Sequence, residues 1–224
     1  MAKSKTCVRS RQSRGRRVPR GRSLKPLVVF AAEGATERVY INALITHRYG
    51  NRIAPSFAET RDHSSLTNLV SQIKSKMQRD GSGAEGAWIV CDTDANACHR
   101  EQLEEWLLES ERHHVAISHP CIEYWFVLHV KVTARSLDAQ HVVKELDKDW
   151  LGGKNYRKGS SIPSDLINAT ENAIKRVRTR RQSLDSGAGP WNSPQWTDMP
   201  ELVEWLDDLD RQSSAHTLDS RNAS

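Results

Sequence analysis

Cysteine is scarce: the 224 residues contain four, and no two of them form a CxxC pair. Without paired spacing there is no sign of a disulfide framework or a zinc ribbon. Cys91 and Cys121 stand inside apolar segments, where a reduced thiol packs as a small hydrophobe. A zinc site drawn from Cys91, Cys98, His99 and Cys121 fits no structural-zinc spacing, so reduced, buried cysteines are expected. Long apolar runs are also missing, and nothing approaches the roughly 20 residues that cross a bilayer. The basic N-terminus is followed by no apolar stretch of the secretory kind. A cytoplasmic protein with no membrane role is therefore expected. Internal repeats are absent as well.

Acid is missing from residues 1–25, which carry ten of the 33 Lys and Arg. The net charge of +5 thus belongs to this tract, because the rest of the chain sets 23 bases against all 28 acids. Such a Ser/Gly/Arg segment cannot bury a core and is expected to be disordered. Two readings stay open. Arg14, Arg16 and Arg17, with their neighbours, could bind nucleic-acid phosphates by counterion release, or the tract is a solubilising extension.

With 37% hydrophobic residues, the chain can bury a real core. Leu27 to Ala32 (LVVFAA) is short, continuous and apolar, as a buried strand should be. Glu33 follows at once, Gly34 allows a turn, and a helix is expected over Thr36 to Tyr49, ending near Gly50. Arg52 to Glu59 is a weak strand, and Pro55 places it at an edge. Ser64 or Ser65 caps an amphipathic helix carrying Leu66, Leu69, Val70, Ile73 and Met77. Asp80 to Gly86 reads as a loop, and Ala87 to Cys91 as a strand that runs into DTD at Asp92 to Asp94. A helix from about Ala97 to Arg112 would bury Leu103, Trp106 and Leu107, and His113 to Ser118 is a fourth strand candidate.

Strands alternating with helices predict an α/β fold: a Rossmann-like, mainly parallel sheet flanked by helices. From Ile122 onward the pattern turns helical. Segments are expected at Ile122 to Val130, Ser136 to Trp150, Pro163 to Arg181 and Glu201 to Leu209, with loops at Leu151 to Ser161 and Ser183 to Pro200. The organisation that follows is a basic tail (1–25), an α/β core (26–130), a helical extension of the same domain (131–212) and a frayed end (213–224).

Ligands in parallel sheets bind beyond the strand carboxyl ends, where Glu33, Asp92 and Asp94 all fall. Oxygen donors of this kind suit Mg²⁺ or Mn²⁺, which one or two carboxylates typically hold while water and substrate phosphate complete the shell. In extended backbone, residues two apart point the same way, so Asp92 and Asp94 would face one ion. Glu33 would complete the site or act as general acid or base. Each has a blander reading: Asp94 as a helix N-cap, Glu33 as a surface turn residue. Glu123, amid apolar IEYWFVLHV, must be paired or bound to be buried. It is either a further functional acid or the partner of Lys154 or Arg157. His119 could contact a phosphate, and the pair His113 and His114 reads as surface.

Several motifs also carry a resemblance. AAEGATERVYINAL resembles the opening of RloB-like proteins, whose first strand runs into an EGxxTE-type motif matched by Glu33, Gly34, Thr36 and Glu37. WIVCDTD is similar to that family's third-strand acidic motif, at Asp92 and Asp94. SHPCIEYWFVLHV resembles its SNPCFELWLLLHF-type signature, at Ser118, Pro120, Cys121, Glu123, Trp125, Leu128 and His129. GKNYRKG and SPQWTDMPELVEWL resemble later segments, so the likeness runs from about residue 25 to about residue 210. Ala95 stands where the family has a further acid, and His119 where it has Asn.

RloB-like proteins resemble Toprim domains, the metal-dependent catalytic fold of topoisomerases and primases, and are commonly encoded beside an ABC-type ATPase in anti-phage defence loci. The resemblance implies a Toprim-like, Mg²⁺- or Mn²⁺-dependent nuclease effector. Glu33, Asp92 and Asp94 would sit at the ion, and Glu37 or Glu123 would assist. The tail, His119 and the loop with Lys154, Arg157 and Lys158 would hold DNA or tRNA. The alternative is a non-catalytic module that docks on the ATPase, which the substitution at Ala95 would favour.

Overall fold

The computed structural model describes residues 24–59, 66–80, 83–93, 100–133, 136–151 and 155–222. The tail arginines, Lys154, Asp94, Ala95, Cys98, His99 and the expected caps Ser64 and Ser65 lie outside these segments. The first half alternates strand and helix: β1 (Leu27–Ala32), α1 (Ala35–His47), β2 (Ala54–Phe57), α2 (Leu66–Asp80), β3 (Ala84–Asp92), α3 (Arg100–Glu109) and β4 (His113–His119). The second half is α4 (Glu123–Val130), α5 (Ala139–Lys148), α6 (Ser164–Asn168), α7 (Thr170–Gln182), β5 (Trp196–Thr197) and α8 (Met199–Asn222). The sheet order is β2-β1-β3-β4-β5, parallel throughout except for β5. The α/β architecture read from the sequence is the one observed, with Pro55 on the edge strand β2.

Both faces of the sheet are covered, which is why its strands read as unbroken apolar runs. Alternate residues enter opposite cores, as strand geometry requires. Val28, Phe30, Trp88, Val90 and Ala116 join the core built with α1, α4 and α8, while Val29, Ala31, Ala87, Ile89 and Ile117 face α2 and α3. Helix α4 is apolar all round and buried along its length, from Glu123 to His129. At its far end His129 is neutral: burial pushes it down to about 3, and the ring accordingly bonds the Trp125 carbonyl at 2.9 Å.

Some expectations need correction. The region expected to be one helix over Pro163 to Arg181 is two, broken at Ala169. There Thr170 turns its hydroxyl onto the Ile167 carbonyl at 2.7 Å, the local bond by which Thr competes with helix continuity. Within the supposed loop over Ser183 to Pro200, β5 pairs antiparallel with β4. Asp198 clamps it by accepting from the Ile117 N–H at 3.2 Å and the Trp196 indole at 2.5 Å. Strand β3 begins at Ala84, inside the supposed loop, and Gly86 is small for a reason: a Cβ there would lie 2.7 Å from the Trp205 ring. Leu107 is 45% exposed because α3 turns it away from the sheet. His113 and His114 are not simply surface residues, since their rings stack on Trp106 and Trp88. Helix α8 continues past the expected fraying point to Asn222.

Candidate active site

Strands β1 and β3 are neighbours with Ala32 opposite Val90, so their carboxyl ends finish side by side. The Glu33 N–H donates to the Val90 carbonyl at 3.0 Å, which extends the pairing one residue past β1. The Glu33 carboxylate then accepts from the Asp92 N–H at 2.9 Å. Two acidic residues 59 positions apart are thus pinned together by the sheet register and one charge-assisted hydrogen bond. The next residue, Thr93, continues the pairing toward β4 through its N–H to the Ser118 carbonyl at 3.0 Å, and its hydroxyl meets His119 Nδ1.

Gly34 opens α1, and Glu37 reaches back to accept its N–H at 3.0 Å, the backward half of a capping box. The fit is close: a Cβ on Gly34 would stand 2.9 Å from Glu37 Oε2. Burial pushes the Glu37 carboxyl up to about 7, hydrogen bonds to the backbone work against this, and the negative charges of Glu123 and Glu33 raise it further. Glu37 therefore shapes the turn that presents Glu33 and shares an acidic field with it.

Glu123 is 1% exposed at the first turn of α4. Among the described residues its partner is a tyrosine and not Arg157. The Tyr156 hydroxyl donates to Glu123 Oε1 at 2.7 Å, while Arg157 is exposed and Lys154 lies outside the described residues. Oε2 has no hydrogen-bond partner among the described residues. The segment carrying Tyr156 is fastened over the site at three points. Tyr156 N–H donates to Asp147 at 2.6 Å, its hydroxyl holds Glu123, and Gly159 N–H donates to the Thr36 hydroxyl at 3.0 Å. Gly159 takes a φ of +74°, a conformation that favours glycine.

Between these anchors Lys158 is exposed and feels the charge of the acids. Partial burial works to lower its ammonium but is outweighed by negative charge, first that of Glu123 and then those of Asp92 and Glu37, so the net shift is upward. Burial, followed by the Glu33 and Asp92 charges, pushes the Cys91 thiol well up; burial and Glu123 do the same to Cys121. Both cysteines are free and buried, and their thiols stay protonated. They are packing residues.

Of the expected site residues, Glu33, Glu37, Asp92, Glu123 and Lys158 share one electrostatic neighbourhood, with His119 beside it on β4. Tyr156, Thr36 and Gly159 join them unexpectedly. Thr36 stands in the EGxxTE-type motif, whereas the sole signal of Tyr156 and Gly159 in the sequence is the GKNYRKG segment, whose charge and glycines do not indicate which acid a tyrosine will reach. Among the described residues, no three His, Cys, Asp or Glu side chains converge closely enough to enclose a metal ion. Mg²⁺ or Mn²⁺ does not require three, since one or two carboxylates with water and substrate oxygens serve it. Hard oxygen donors at Glu33 and Asp92 fit such an ion, beside a Glu37 that burial and neighbouring negative charge keep protonated up to near neutrality.

Comparison with known proteins finds a match over residues 27–206 to one family model, described as RloB-like protein. No curated protein and no solved structure matches.

Proposed function

The chain belongs to the RloB-like protein family, and from that premise we propose that it is a Toprim-like, divalent-cation-dependent enzyme that cleaves phosphodiester bonds of nucleic acid. It acts in the cytoplasm as the effector of an anti-phage defence system, beside an ATPase of the ABC type. The observation that carries this reading is the pinning of Glu33 against Asp92 at two adjacent strand ends, with Glu37 close enough to feel the Glu33 charge.

In this reading Glu33 and Asp92, with Asp94, hold Mg²⁺ or Mn²⁺. The ion would supply polarisation of a phosphoryl oxygen and stabilisation of developing negative charge. The chain's own groups do the rest. Lys158 offers an ammonium to the same phosphate, and the Tyr156–Glu123 and Gly159–Thr36 bonds hold the segment that carries it. Glu37 keeps the Gly34 turn closed so that Glu33 stays in line with Asp92.

The test is cleavage of duplex DNA and of tRNA by the purified protein with Mg²⁺ or Mn²⁺, alone and with its neighbouring ATPase. Wild type should cut, and Asp92→Ala should lose at least ~100-fold, the upper end of what a weakened metal site loses. An Asp92→Ala protein that cuts as well as wild type sinks the assignment. A wild type that cuts nothing yet binds the ATPase would identify the chain as a docking module.

A further inference from the structure

Helix α7 carries Lys175, Arg176, Arg178, Arg180 and Arg181 within thirteen residues. Two of these bases are answered by acids: Arg178 by Glu204 at 2.6 Å, and Arg181 by Asp198 and Glu201. The others are used differently. Arg176 donates to the Leu128 carbonyl at 2.6 Å, and Arg180 donates to the Thr133 carbonyl at 3.2 Å while lying over the Tyr124 ring. Backbone oxygens hold these guanidiniums in place without cancelling their charge. Lys175 projects beside them and is exposed. Among the described residues none of the three has a carboxylate ion-pair partner.

All three line a groove of about 560 Å³ together with Val132, Thr179, Ser183 and Leu184, and among the described residues no acid lines it. The groove between α2 and α3 makes a contrast, because its one lysine, Lys74, is paired with Glu109 across the opening. On α7, Arg176 and Arg180 form one row, and Lys175, Thr179 and Ser183 another. Members of a row are four residues, or about 6 Å, apart. A row of fixed guanidiniums flanked by a lysine and two hydroxyls suits a regularly charged chain of phosphates, which Arg, Lys, Ser and Thr side chains commonly position.

We propose that this groove binds the phosphodiester backbone of a nucleic acid at the end of α4 remote from Glu123. The choice of ligand rests on the reading of the acidic site as a nuclease centre; the uncancelled charge does not. Recognition here is of backbone, without base specificity, and it is separate from the Lys158 loop.

The test uses the full chain in EDTA, so that nothing is cleaved. Binding of a labelled duplex and of a tRNA is followed by fluorescence anisotropy across a salt series. The variant is Lys175→Glu with Thr179→Glu, two exposed positions to which the fold assigns no structural bond, with thermal melting as the check on folding. Affinity at 0.1 M salt should fall by about tenfold, and the slope of log K against log salt should become shallower by about one for each phosphate that the variant no longer neutralises. Bound nucleic acid should also protect Lys175, but not Lys148, from acetylation. A folded variant with unchanged affinity and slope overturns the proposal, as does protection by polyglutamate but not by nucleic acid. The two readings fail separately. Groove-dependent binding without any cleavage in Mg²⁺ refutes the nuclease centre alone, whereas cleavage abolished by Asp92→Ala alongside unchanged binding in the groove variant refutes the groove alone.

Discussion

Charge is handled in opposite ways at two places along α1. At its C-terminal end every charge is answered. Arg48 forks onto Asp207 through Nε at 2.9 Å and Nη2 at 2.8 Å, and also reaches Glu171 at 2.5 Å. Tyr49 adds its hydroxyl to Asp207 at 2.9 Å, and Arg52 pairs with Asp210 at 2.7 Å. This belt ties α1 to α7 and α8. At the N-terminal end Glu33, Glu37, Asp92 and Glu123 share one field, which the Lys158 ammonium also feels. At one end of the helix acids and bases are matched pair by pair, and at the other acids are gathered around two strand ends. The first arrangement maintains the fold, and the second gathers the oxygen donors that the proposed cation needs.

The sharpest way to break this contrast is to remove the hub of the belt. Asp207→Ala strips two arginine bonds and a tyrosine bond from a partly buried carboxylate, so melting should show a loss of about 3 kcal/mol. Metal affinity per folded molecule should not change. A melting curve matching wild type would mean that the belt contributes nothing to stability.

Glu37 tests the other end with a smaller effect of opposite sense. Its folded value of about 7 lies above the ordinary 4.5, so the folded state holds the proton more tightly. Stability is therefore undiminished below about pH 4.5, falls as pH rises through the window up to 7, and stays lowered above it. Glu37→Gln removes the penalty and should be more stable than wild type at pH 8 by about 2 kcal/mol, with the difference vanishing near pH 4. Denaturant titrations at the two pH values decide, and a gain independent of pH would show that burial does not govern this carboxyl.

The smallest effect belongs to the rim of the belt. Arg52 is 54% exposed in its side chain, so Arg52→Ala should cost no more than ~0.5 kcal/mol and respond to salt. A loss comparable to that of Asp207→Ala would make the belt a cooperative network rather than a hub with a rim.

The ends of α1 differ also in how far sequence reveals them. Strand β1 and the Glu33–Gly34 turn are readable because a strand buried on both faces must be a continuous apolar run, and its sudden end in an acid is conspicuous. The same holds for β3 and Asp92. Tyr156 is not readable in this way, since its role comes from where a loop folds back, and loops carry no periodicity. Charge alone points Glu123 toward Arg157, whereas burial favours a neutral donor, and burial is what a sequence does not display. Strand β5 spans two residues, too short for alternation to show. The break at Ala169 depends on a side-chain bond that composition does not signal, and Leu107 faces outward because the register of α3 on the sheet, not its hydrophobicity, sets its exposure.

The central claim is that the crowded end of α1 is built to take a divalent cation. Calorimetric titration of Mn²⁺ into the full-length protein, with Glu33→Ala and Asp92→Ala alongside, tests it most directly. The account predicts binding by wild type that releases protons below pH 7, as the cation displaces the proton held at Glu37, and binding weakened at least tenfold in each variant. Equal binding by all three proteins, or none by wild type, would contradict it.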